Sequence, residues 1–447
     1  MASGSSLNNP SPAVYGPIPG GPVFGRLRLP GSKSITQRHF NLALLFRQPL
    51  TVRRPLISED TSHYLDGLAA AGFAVRRDGL DVELLPGAPP SGPIRIFCGA
   101  GGTMFRFLTA ALTAVPGTYE LDGIARLRER PIAQLVDALR QLGARIDYLG
   151  QEGFAPLRLH GGSLRGGSAR LDAGISSQFL SALLMAALAA PAPSEITVAA
   201  LTSEPYVDLT LDAIAAFGGR VEAQPGLYRV YPGRVGVPPR QIVVEPDYSA
   251  VGYPAAAAAL TGGEVFLEDL APGSRQGDRG FVDLLAAMGA ELDWQADGLR
   301  VRGQPGGALR ALDADLEAMP DQVPTLAALV PFARGITAIR NVPNLRVKES
   351  DRLAAMTTEL RRAGATVEEL ADGLIIPGVW ADVAPPATPV LAQSWGDHRI
   401  AMAMALVGLR RPGLSVAEPA VVGKSYPEFW RDLEGLLRPN KSRLEVG

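Results

Sequence analysis

Apolar residues recur at helical spacing in five segments of the chain, and each segment ends at a glycine that is followed by a short β-like run. These glycines follow one another at intervals of 71, 75, 71 and 75 residues: Gly72, Gly143, Gly218, Gly289 and Gly364. A glycine just past a helix takes up the left-handed conformation that turns the chain into the next element. A further interval of 71 residues leads to Gly435, after a weaker helical pattern. The pattern predicts an α/β protein made of six units of about 70 residues.

The six units fall into two groups, three before about residue 244 and three after it. Two lobes of three units, with a binding site between them, are the architecture that this division favours. Ahead of the first unit, residues 1–15 are rich in Ser, Asn and Pro and carry no basic residue and no apolar core. We expect these residues to form a flexible leader and not a signal peptide.

The composition argues against several classes of protein. Of the 447 residues, 47% are hydrophobic and 20% are charged, which is ordinary for a globular protein. The formal net charge of −2 argues against binding to nucleic acid or to a membrane surface. No apolar run reaches the roughly 18 residues that a membrane-spanning helix needs. The single cysteine, Cys98, excludes a disulfide within the chain and favours a cytoplasmic location.

Lysine is scarce, and its positions are informative. Only four of the 43 basic residues are lysines, namely Lys33, Lys348, Lys424 and Lys441. Lysine carries a compact charge whose pKa shifts readily on burial, so it suits proton transfer and contact with phosphate. The first three lie in polar, motif-like loops, which favours a role for those loops in binding anions.

Short polar loops that lead into predicted helices recur along the chain. One of them, 344–350, is dense in charge, and Lys33 with Arg38 flanks another helix start. Free N–H groups and the positive dipole end at such a position suit anions. The residues alone leave other interpretations open: a solvated charge run at 344–350, a helix-capping acid at Asp321 and a surface arginine at Arg130.

Five of these loops carry motifs that resemble the 5-enolpyruvylshikimate-3-phosphate synthase family, and the resemblance extends from about Gly25 to Phe429. The motifs are Leu29-Pro-Gly-Ser-Lys-Ser, Arg128-Glu-Arg-Pro-Ile, Ser176-Ser-Gln-Phe-Leu, Asn344-Leu-Arg-Val-Lys-Glu-Ser-Asp-Arg and Asp397-His-Arg-Ile-Ala-Met. The resemblance implies a two-lobed inside-out α/β barrel of six βαβαββ units, three per lobe. Lobe I would comprise residues 16–31 and 245–447, lobe II residues 32–244, and the active site would lie in the cleft between them.

The resemblance also implies a reaction. The enolpyruvyl group of phosphoenolpyruvate is transferred to the 5-hydroxyl of shikimate 3-phosphate, and phosphate is released by addition and then elimination. No cofactor and no metal are implied, and we expect a monomer whose partners are these two small molecules. Such a reaction needs one acid and one base on opposite sides of the addition, and cations that stabilise charge as phosphate leaves.

The same resemblance assigns roles to individual residues. The catalytic residues would be Asp321 as the base at the 5-hydroxyl, Glu349 as the acid that protonates the methylene carbon, and Lys33. The shikimate 3-phosphate site would comprise Lys33, Ser34, Arg38, Ser176, Ser177, Gln178, Ser203, Tyr206, Asp321, Asn344 and Lys348. The phosphoenolpyruvate site would comprise Lys33, Gly102, Arg130, Gln178, Arg352, Arg399 and Lys424.

The chain departs from the family pattern beside the expected phosphoenolpyruvate site. Where the family usually has Gly-Asn-Ala-Gly-Thr, this chain has Gly99-Ala-Gly-Gly-Thr103, and Phe107 stands where a proline is common. The herbicide glyphosate occupies the phosphoenolpyruvate site in this family. We therefore expect glyphosate to inhibit this protein less strongly than it inhibits typical members.

Two other functions compete with this interpretation. The sister transferase that acts on UDP-N-acetylglucosamine shares the fold, but it typically carries a reactive cysteine on a mobile loop, and Cys98 is not so placed. A protein that binds small anions without catalysis is the second alternative, and the acids Asp321 and Glu349 argue against it. Release of phosphate in the presence of both substrates separates the three.

Overall fold

All five predicted helix–glycine–strand segments are present in the structure, a computed structural model that describes residues 13–88, 92–233, 235 and 239–438. Each glycine follows a helix and has a positive φ, between 77° and 118°. This is the backbone region that glycine occupies without strain, so these five predictions are confirmed. The sixth is wrong, because Gly435 lies inside the helix Phe429–Leu437 and does not end it.

Thirteen α-helices lie in the described part of the chain. In chain order they are α1 Lys33–Phe46, α2 Glu59–Ala70, α3 Gly102–Ala114, α4 Ala125–Arg128, α5 Ala133–Gln141, α6 Ser177–Ala187, α7 Pro205–Ala216, α8 Tyr248–Thr261, α9 Gly280–Ala287, α10 Val323–Leu329, α11 Arg352–Arg362, α12 His398–Gly408 and α13 Phe429–Leu437. Short 3₁₀ helices comprise Gly277–Arg279, Pro305–Gly307, Pro320–Gln322, Val330–Phe332, Pro343–Val347 and Pro419–Lys424.

The strands of the same residues are short, and most have two to six residues. In chain order they are β1 Val14–Tyr15, β2 Phe24–Leu27, β3 Leu50–Arg53, β4 Phe73–Asp78, β5 Asp81–Pro86, β6 Pro93–Phe97, β7 Gly117–Asp122, β8 Arg145–Tyr148, β9 Leu157–Gly161, β10 Gly167–Ala173, β11 Ser194–Leu201, β12 Arg220–Gln224, β13 Leu227–Tyr231, β14 Gln241–Val243, β15 Glu264–Glu268, β16 Glu291–Gln295, β17 Gly298–Arg302, β18 Leu309–Arg310, β19 Asp313–Asp315, β20 Ala333–Arg334, β21 Ile336–Arg340, β22 Glu368–Leu370, β23 Gly373–Pro377, β24 Val390–Ala392 and β25 Leu414–Ala417.

One strand order recurs in the four-stranded sheets of this mixed α/β fold. In the sheet β10-β11-β13-β12, the first two strands are parallel and the others pair antiparallel. The parallel pair needs a crossover, which α6 supplies, and α7 then leads to the hairpin of β12 and β13. The sheets β6-β7-β9-β8 and β19-β21-β23-β22 have the same order.

Strands that are far apart in sequence complete two other four-stranded sheets. Strand β14 pairs parallel with β3, and β2 pairs parallel with β15. The chain passes between these regions twice, at adjacent places: the Ser32 amide donates to the Glu245 carbonyl at 2.8 Å, and the Asp247 amide donates to the Pro30 carbonyl at 2.9 Å. Gly31 lies at this point, where a Cβ would approach a neighbouring carbonyl oxygen to 2.1 Å.

The buried apolar residues form two separate clusters. The first cluster draws on residues 18–29 and 248–436, and the second on residues 40–244. The two chain crossings at residues 30–32 and 245–247 therefore separate two cores. Among the described helices, none is both long and apolar enough to cross a membrane.

The predicted leader, residues 1–15, contains a strand at its end. Residues 1–12 lie outside the described residues, but Val14 and Tyr15 form β1, which pairs antiparallel with β25. The Tyr15 hydroxyl donates to Glu434 at 2.7 Å, and the Tyr15 ring stacks on Trp430 at 4.0 Å. The prediction of a flexible leader is therefore wrong for residues 14 and 15, because long-range pairing gives them a partner that their local sequence does not reveal.

Candidate active site

A cavity lined by residues from both sides lies between the two clusters. The first turns of seven helices contribute to its wall: α1, α2, α3, α6, α7, α11 and α12. Helix N-termini present unpaired N–H groups and the positive end of the helix dipole, so such a wall favours anionic ligands.

All of the predicted site residues except Lys424 lie on this wall. The lining residues are Lys33, Ser34, Arg38, Asp60, Gly102, Thr103, Arg130, Ser176, Ser177, Gln178, Thr202, Ser203, Tyr206, Asp321, Asn344, Lys348, Glu349, Arg352, His398 and Arg399. Six of these side chains are cationic and three are acidic. Residues as far apart in the sequence as Lys33 and Arg399 thus meet in one strongly basic cavity, where Asp60 and Glu349 are among the acids.

Lys424 lies directly behind the wall. Its ammonium is 3.0 Å from Glu349 Oε1 and donates to the Ala100 carbonyl at 3.2 Å. The side chain is almost completely buried. Lys424 therefore acts on the cavity through the carboxylate of Glu349, which does face the cavity.

Four lining residues were not predicted from the sequence: Asp60, Thr103, Thr202 and His398. Asp60 is the second residue of α2, where an acid is ordinarily explained by the helix dipole, yet its Oδ2 lies 3.4 Å from Lys33 Nζ. His398 stands inside a motif that the resemblance quoted, and its position directly before Arg399 was the available signal. The two threonines each adjoin a predicted residue in the sequence, Gly102 in one case and Ser203 in the other.

The carboxylate of Asp321 is held between two arginines. Arg352 donates to Oδ1 at 2.8 Å, and Arg399 donates to Oδ2 at 2.7 Å. Burial by itself would raise the pKa of Asp321, but Arg399, Arg352 and Lys348 together hold this pKa well below its usual range. Asp321 makes no helix-capping hydrogen bond, so the capping alternative is not what the structure shows.

Glu349 is surrounded by three cations, one of which, Arg352, it shares with Asp321. Its carboxylate accepts from Arg352 at 2.9 Å, lies 3.0 Å from Lys424 Nζ, and lies 3.9 Å from Arg130 Nη1. Burial opposes ionisation, yet Lys424, Arg352 and Arg130 outweigh it and lower the pKa of Glu349 well below its usual value. Both acids are therefore ionised in the ligand-free cavity.

The pKa values of Lys348 and His398 are lowered, whereas pairing with an acid would raise the pKa of a cation. Burial is the main reason that the pKa of Lys348 falls to about 8, although Asp321 partly offsets it. Burial, followed by repulsion from Lys33 and Arg399, also lowers the pKa of His398 well below its usual value. His398 is thus a neutral imidazole, whereas Lys348 titrates close to physiological pH.

All three guanidinium nitrogens of Arg38 donate to groups of the protein. Its nitrogens donate to the Ser34 carbonyl at 2.8 Å, the Tyr206 carbonyl at 2.7 Å and the Thr210 hydroxyl at 2.9 Å. An arginine has five N–H groups, so donors remain for a ligand. The ring of Phe107 lies 5.4 Å from the guanidinium carbon and supports the side chain from the core.

A buried arginine orients the polar residues at the start of α6. Arg106 donates to Gln178 Oε1 at 2.6 Å and to the Ser176 hydroxyl at 3.5 Å. Gln178 in turn donates to the Thr103 hydroxyl at 3.0 Å, and the Ser176 hydroxyl accepts from the Gln178 amide and so caps the helix. This cap uses Ser176 and leaves Ser177 free for the cavity wall.

The two sides of the cavity also contact each other directly. Asn344, on the side of the first cluster, donates to the Ser203 hydroxyl at 3.3 Å, and Ser203 donates to the Glu317 carbonyl at 3.1 Å. The Tyr206 hydroxyl donates to Asp278 at 3.0 Å. Burial, followed by repulsion from Asp321, raises the pKa of Asp278 to about 7. The structure therefore represents a closed cleft.

Gly102 is required by close packing at the start of α3. A Cβ at this position would lie 2.4 Å from Arg130 Nη1, which is closer than nonbonded atoms approach. The absence of a side chain lets Arg130 lie directly over the helix N-terminus. Within the described residues, no group of three or more His, Cys, Asp or Glu side chains is arranged to hold a metal ion.

Comparisons with known proteins give one consistent family. The model of the family "EPSP synthase (3-phosphoshikimate 1-carboxyvinyltransferase)" matches residues 18–433. A 3-phosphoshikimate 1-carboxyvinyltransferase of Vibrio cholerae serotype O1 is 41% identical over 425 residues, which cover 93% of this chain and 97% of the relative. The protein of the same name from Syntrophobacter fumaroxidans is 42% identical over 427 residues, which cover 94% of this chain and 98% of the relative.

Solved structures agree with the sequence comparison. The structure of EPSP synthase from Acinetobacter baumannii superposes on this one with a TM-score of 0.76 and 26% sequence identity. The superposition covers 95% of this chain and 97% of that chain. The two proteins therefore share their fold over nearly the whole chain.

Proposed function

We propose how the cavity binds and transforms two substrates, given that the chain belongs to the EPSP synthase family and is a 3-phosphoshikimate 1-carboxyvinyltransferase of the shikimate pathway. The observation that carries the proposal is the single basic cavity at the meeting point of seven helix N-termini. Shikimate 3-phosphate and phosphoenolpyruvate each carry one phosphate and one carboxylate. Six cations against three acids on the wall complement these two multiply charged anions.

We infer that the two hydrophobic clusters are the cores of two lobes. Lobe I comprises residues 16–31 and 245–447, and lobe II comprises residues 32–244. The recurring strand order and the two adjacent crossings support a two-lobed inside-out α/β barrel of βαβαββ units. Cys98 is buried and burial raises the pKa of its thiol, so we propose that it serves as a packing residue. We also propose that the protein is a cytoplasmic monomer.

Shikimate 3-phosphate binds on the side of the cavity where Arg38 and the serines lie. Arg38 has free donors for the carboxylate, and the hydroxyls at the start of α6 and before α7 suit a phosphate. The proposed residues are Lys33, Ser34, Arg38, Ser176, Ser177, Gln178, Ser203, Tyr206, Asp321, Asn344 and Lys348. Asn344 and Lys348 reach this ligand from the opposite lobe.

Phosphoenolpyruvate binds beside the N-terminus of α3. Glu349 lies among Arg130, Arg352 and Lys424, which are all proposed phosphoenolpyruvate ligands. Asp321 lies beside Arg399 and close enough to Lys348 to be affected by its charge. This distribution supports Glu349 as the acid for the methylene carbon and Asp321 as the base for the hydroxyl. Gly102, Gln178 and Lys33 complete the phosphoenolpyruvate site.

The reaction proceeds in two steps, an addition and an elimination. In the addition, the 5-hydroxyl oxygen forms a bond to the central carbon of phosphoenolpyruvate, Asp321 takes the hydroxyl proton, and the methylene carbon takes a proton from Glu349. In the elimination, the methyl carbon returns a proton to Glu349 while the bond from the central carbon to the phosphate oxygen breaks. The leaving phosphate takes the proton from Asp321, and Lys33 with the arginines stabilises its charge.

Substrate binding prepares both acids for these roles. The cations that hold both carboxylates ionised in the empty cavity are the same cations that would bind the substrate anions. When a phosphate or carboxylate approaches Arg130, Arg352 or Arg399, its negative charge raises the pKa of the neighbouring acid. Glu349 is then able to bind the proton that it donates to the methylene carbon.

The proposal is tested by measuring phosphate released from phosphoenolpyruvate, with shikimate 3-phosphate as acceptor. Activity is expected with both substrates, and none when either is omitted. UDP-N-acetylglucosamine as the alternative acceptor tests the sister transferase. Release of phosphate with that acceptor alone, or binding of both anions without turnover, would contradict the proposal.

A pH dependence is expected from Lys348. Its free-enzyme pKa of about 8 means that the ammonium loses its charge as the pH rises through this value, and attraction for the anionic acceptor is lost with it. We expect kcat/KM for shikimate 3-phosphate to fall by up to about tenfold per pH unit above this pKa. Lys348→Arg retains its charge, so its profile should stay flat there. The same decline in both proteins would exclude Lys348 as its origin.

Glyphosate inhibition is expected to be weak because of Phe107. The ring is fully buried under Arg38, and unlike proline the residue keeps the N–H that α3 needs in its second turn. A regular start of α3 places Gly102 and Thr103 differently from a proline-containing start, and glyphosate is longer than phosphoenolpyruvate. We expect Phe107→Pro to lower the inhibition constant by roughly tenfold.

The control for this prediction is Phe107→Leu, which reduces the bulk but keeps the N–H group. Inhibition is measured in competition with phosphoenolpyruvate for all three proteins. If wild type, Phe107→Pro and Phe107→Leu are inhibited equally and strongly, Phe107 has no influence on the inhibitor.

A further inference from the structure

One arginine outside the cavity wall holds the main chain of the two lining residues Lys348 and Glu349. Arg126 belongs to α4, on the side of the second cluster, whereas Lys348 and Glu349 belong to the side of the first. Its Nη2 donates to the Lys348 carbonyl at 2.9 Å, and its Nε donates to the Lys348 and Glu349 carbonyls at 3.2 and 3.1 Å. The guanidinium therefore bridges the cleft to two successive peptide groups.

The segment that Arg126 holds lacks regular hydrogen bonding of its own. Residues 348–350 lie between the 3₁₀ helix Pro343–Val347 and α11, and they belong to neither a helix nor a strand. Carbonyl groups in such a segment need partners from elsewhere when they are partly buried. Arg126 supplies both partners from the opposite side of the cleft, so this loop conformation depends on closure.

The guanidinium is itself held in place. Its Nη1 donates to Glu129 Oε2 at 2.9 Å, three residues further along the same segment. About 35% of the Arg126 side chain is exposed, so it lies at the rim of the cleft and not inside the cavity. The Glu129 pair directs the remaining edge of the guanidinium towards the loop carbonyls.

The segment that carries Arg126 contacts Glu349 at two points. Arg126 holds its carbonyl oxygen, and Arg130, four residues later, lies 3.9 Å from its carboxylate. A carboxylate that must exchange a proton with carbon needs a defined position, and contacts at both ends of one residue supply it. The two arginines therefore constrain the backbone and the side chain of the same residue.

We propose that Arg126 is a positioning residue that latches the loop at Lys348–Glu349 to α4 and thereby holds the Glu349 carboxylate where it exchanges its proton with substrate. This inference deepens the proposed function, because it rests on the role of Glu349 as the acid. Arg126 acts when the cleft is closed, and it does so through main-chain groups, so it influences the transfer step more than the binding of shikimate 3-phosphate.

The test compares Arg126→Ala with Arg128→Ala. Arg128 is two residues away in the same helix and forms an exposed ion pair with Asp122, away from the loop. We expect Arg126→Ala to lower kcat by about 10- to 100-fold, the size expected when a reacting group is misplaced by about 1 Å. The KM for shikimate 3-phosphate should rise by a smaller factor than kcat falls, because Lys348 is only one of the many residues proposed to bind it. The Tm should change little, and Arg128→Ala should resemble wild type. Arg126→Lys retains one donor group and should restore part of the lost kcat.

A double variant shows whether Arg126 acts through Glu349. If it does, Arg126→Ala should have little further effect on kcat in the Glu349→Gln background, since the proton that it positions is already absent. Full additivity of the two losses would overturn the proposal, as would equal kcat values for Arg126→Ala and Arg128→Ala. Wild type that releases no phosphate would instead overturn the proposed function itself, so the two failures are distinguishable.

Discussion

Replacing Asp321 by Asn is expected to lower kcat by about 10²- to 10⁴-fold, the effect typical of a positioned proton-transfer group. The structure places this carboxylate between Arg352 and Arg399, at 2.8 and 2.7 Å. Asn has nearly the same shape but takes up no proton from the 5-hydroxyl, so the addition step loses its base. The loss should appear when kcat is measured with both substrates at saturation.

We also expect Asp321→Asn to retain its affinity for shikimate 3-phosphate. Removing a negative charge from a basic wall leaves the cations more available to anions, so shikimate 3-phosphate should bind as tightly as before or more tightly. Calorimetry of the variant with shikimate 3-phosphate alone measures this. The outcome separates loss of a base from collapse of the site, because a collapsed site would bind the ligand weakly.

A matched control for Asp321 is Asp382→Asn. Asp382 also pairs with an arginine, Arg334, at 2.8 Å, but both side chains are largely exposed and neither lines the cavity. This variant should keep wild-type turnover. Turnover within a factor of a few of wild type for Asp321→Asn would remove Asp321 from the mechanism.

Glu349→Gln is expected to cause a loss of similar size, again about 10²- to 10⁴-fold in kcat. Glu349 lies among Lys424, Arg352 and Arg130, the cations proposed to bind phosphoenolpyruvate. Gln preserves the hydrogen-bonding shape at this position but has no proton to exchange with the methylene carbon. Both the addition and the elimination depend on that exchange, so the variant should be slow in both steps.

Solvent isotope incorporation tests the assigned role of Glu349 directly. When addition is reversible in heavy water, the acid transfers a deuteron to the methylene carbon and forms a methyl group. The return step, which can remove a proton in place of the deuteron, then leaves deuterium in phosphoenolpyruvate. Glu349→Gln should suppress this incorporation along with turnover. Glu368→Gln, an exposed acid in β22, is the control and should leave both unchanged. Rapid incorporation in a slow Glu349→Gln variant would assign the proton transfer to another residue.

Local patterns in the sequence identified much of the framework and most of the site. The glycines Gly72 and Gly364 end their helices because the need for a positive φ is a property of a few neighbouring residues. Lys33 and Gln178 lie on the cavity wall, as the motif resemblance implied, because each stands at a helix start that its own loop specifies. Features that depend on short stretches of chain were therefore predictable.

The failures share a different cause. Gly435 stands one regular interval after Gly364, yet its helix continues because burial of Leu436 against the first cluster outweighs the local cost of glycine. Tyr15 belongs to a segment with no apolar core, but β25 and Trp430 give it partners more than 400 residues away. In both places tertiary packing overrides the local pattern.

Sequence patterns alone predicted the repeated α/β units, the polar loops at their helix starts and, through the motifs, the residue types of the site. The folded chain was needed to show that Asp60 and His398 share the cavity, that Asp321 pairs with Arg352 and Arg399 instead of capping a helix, and that Arg126 crosses the cleft. The physical reason is that hydrophobic periodicity and turn preference act over a few residues. Ion pairs and close approaches in a cleft depend on which distant helix ends the folded sheets bring together.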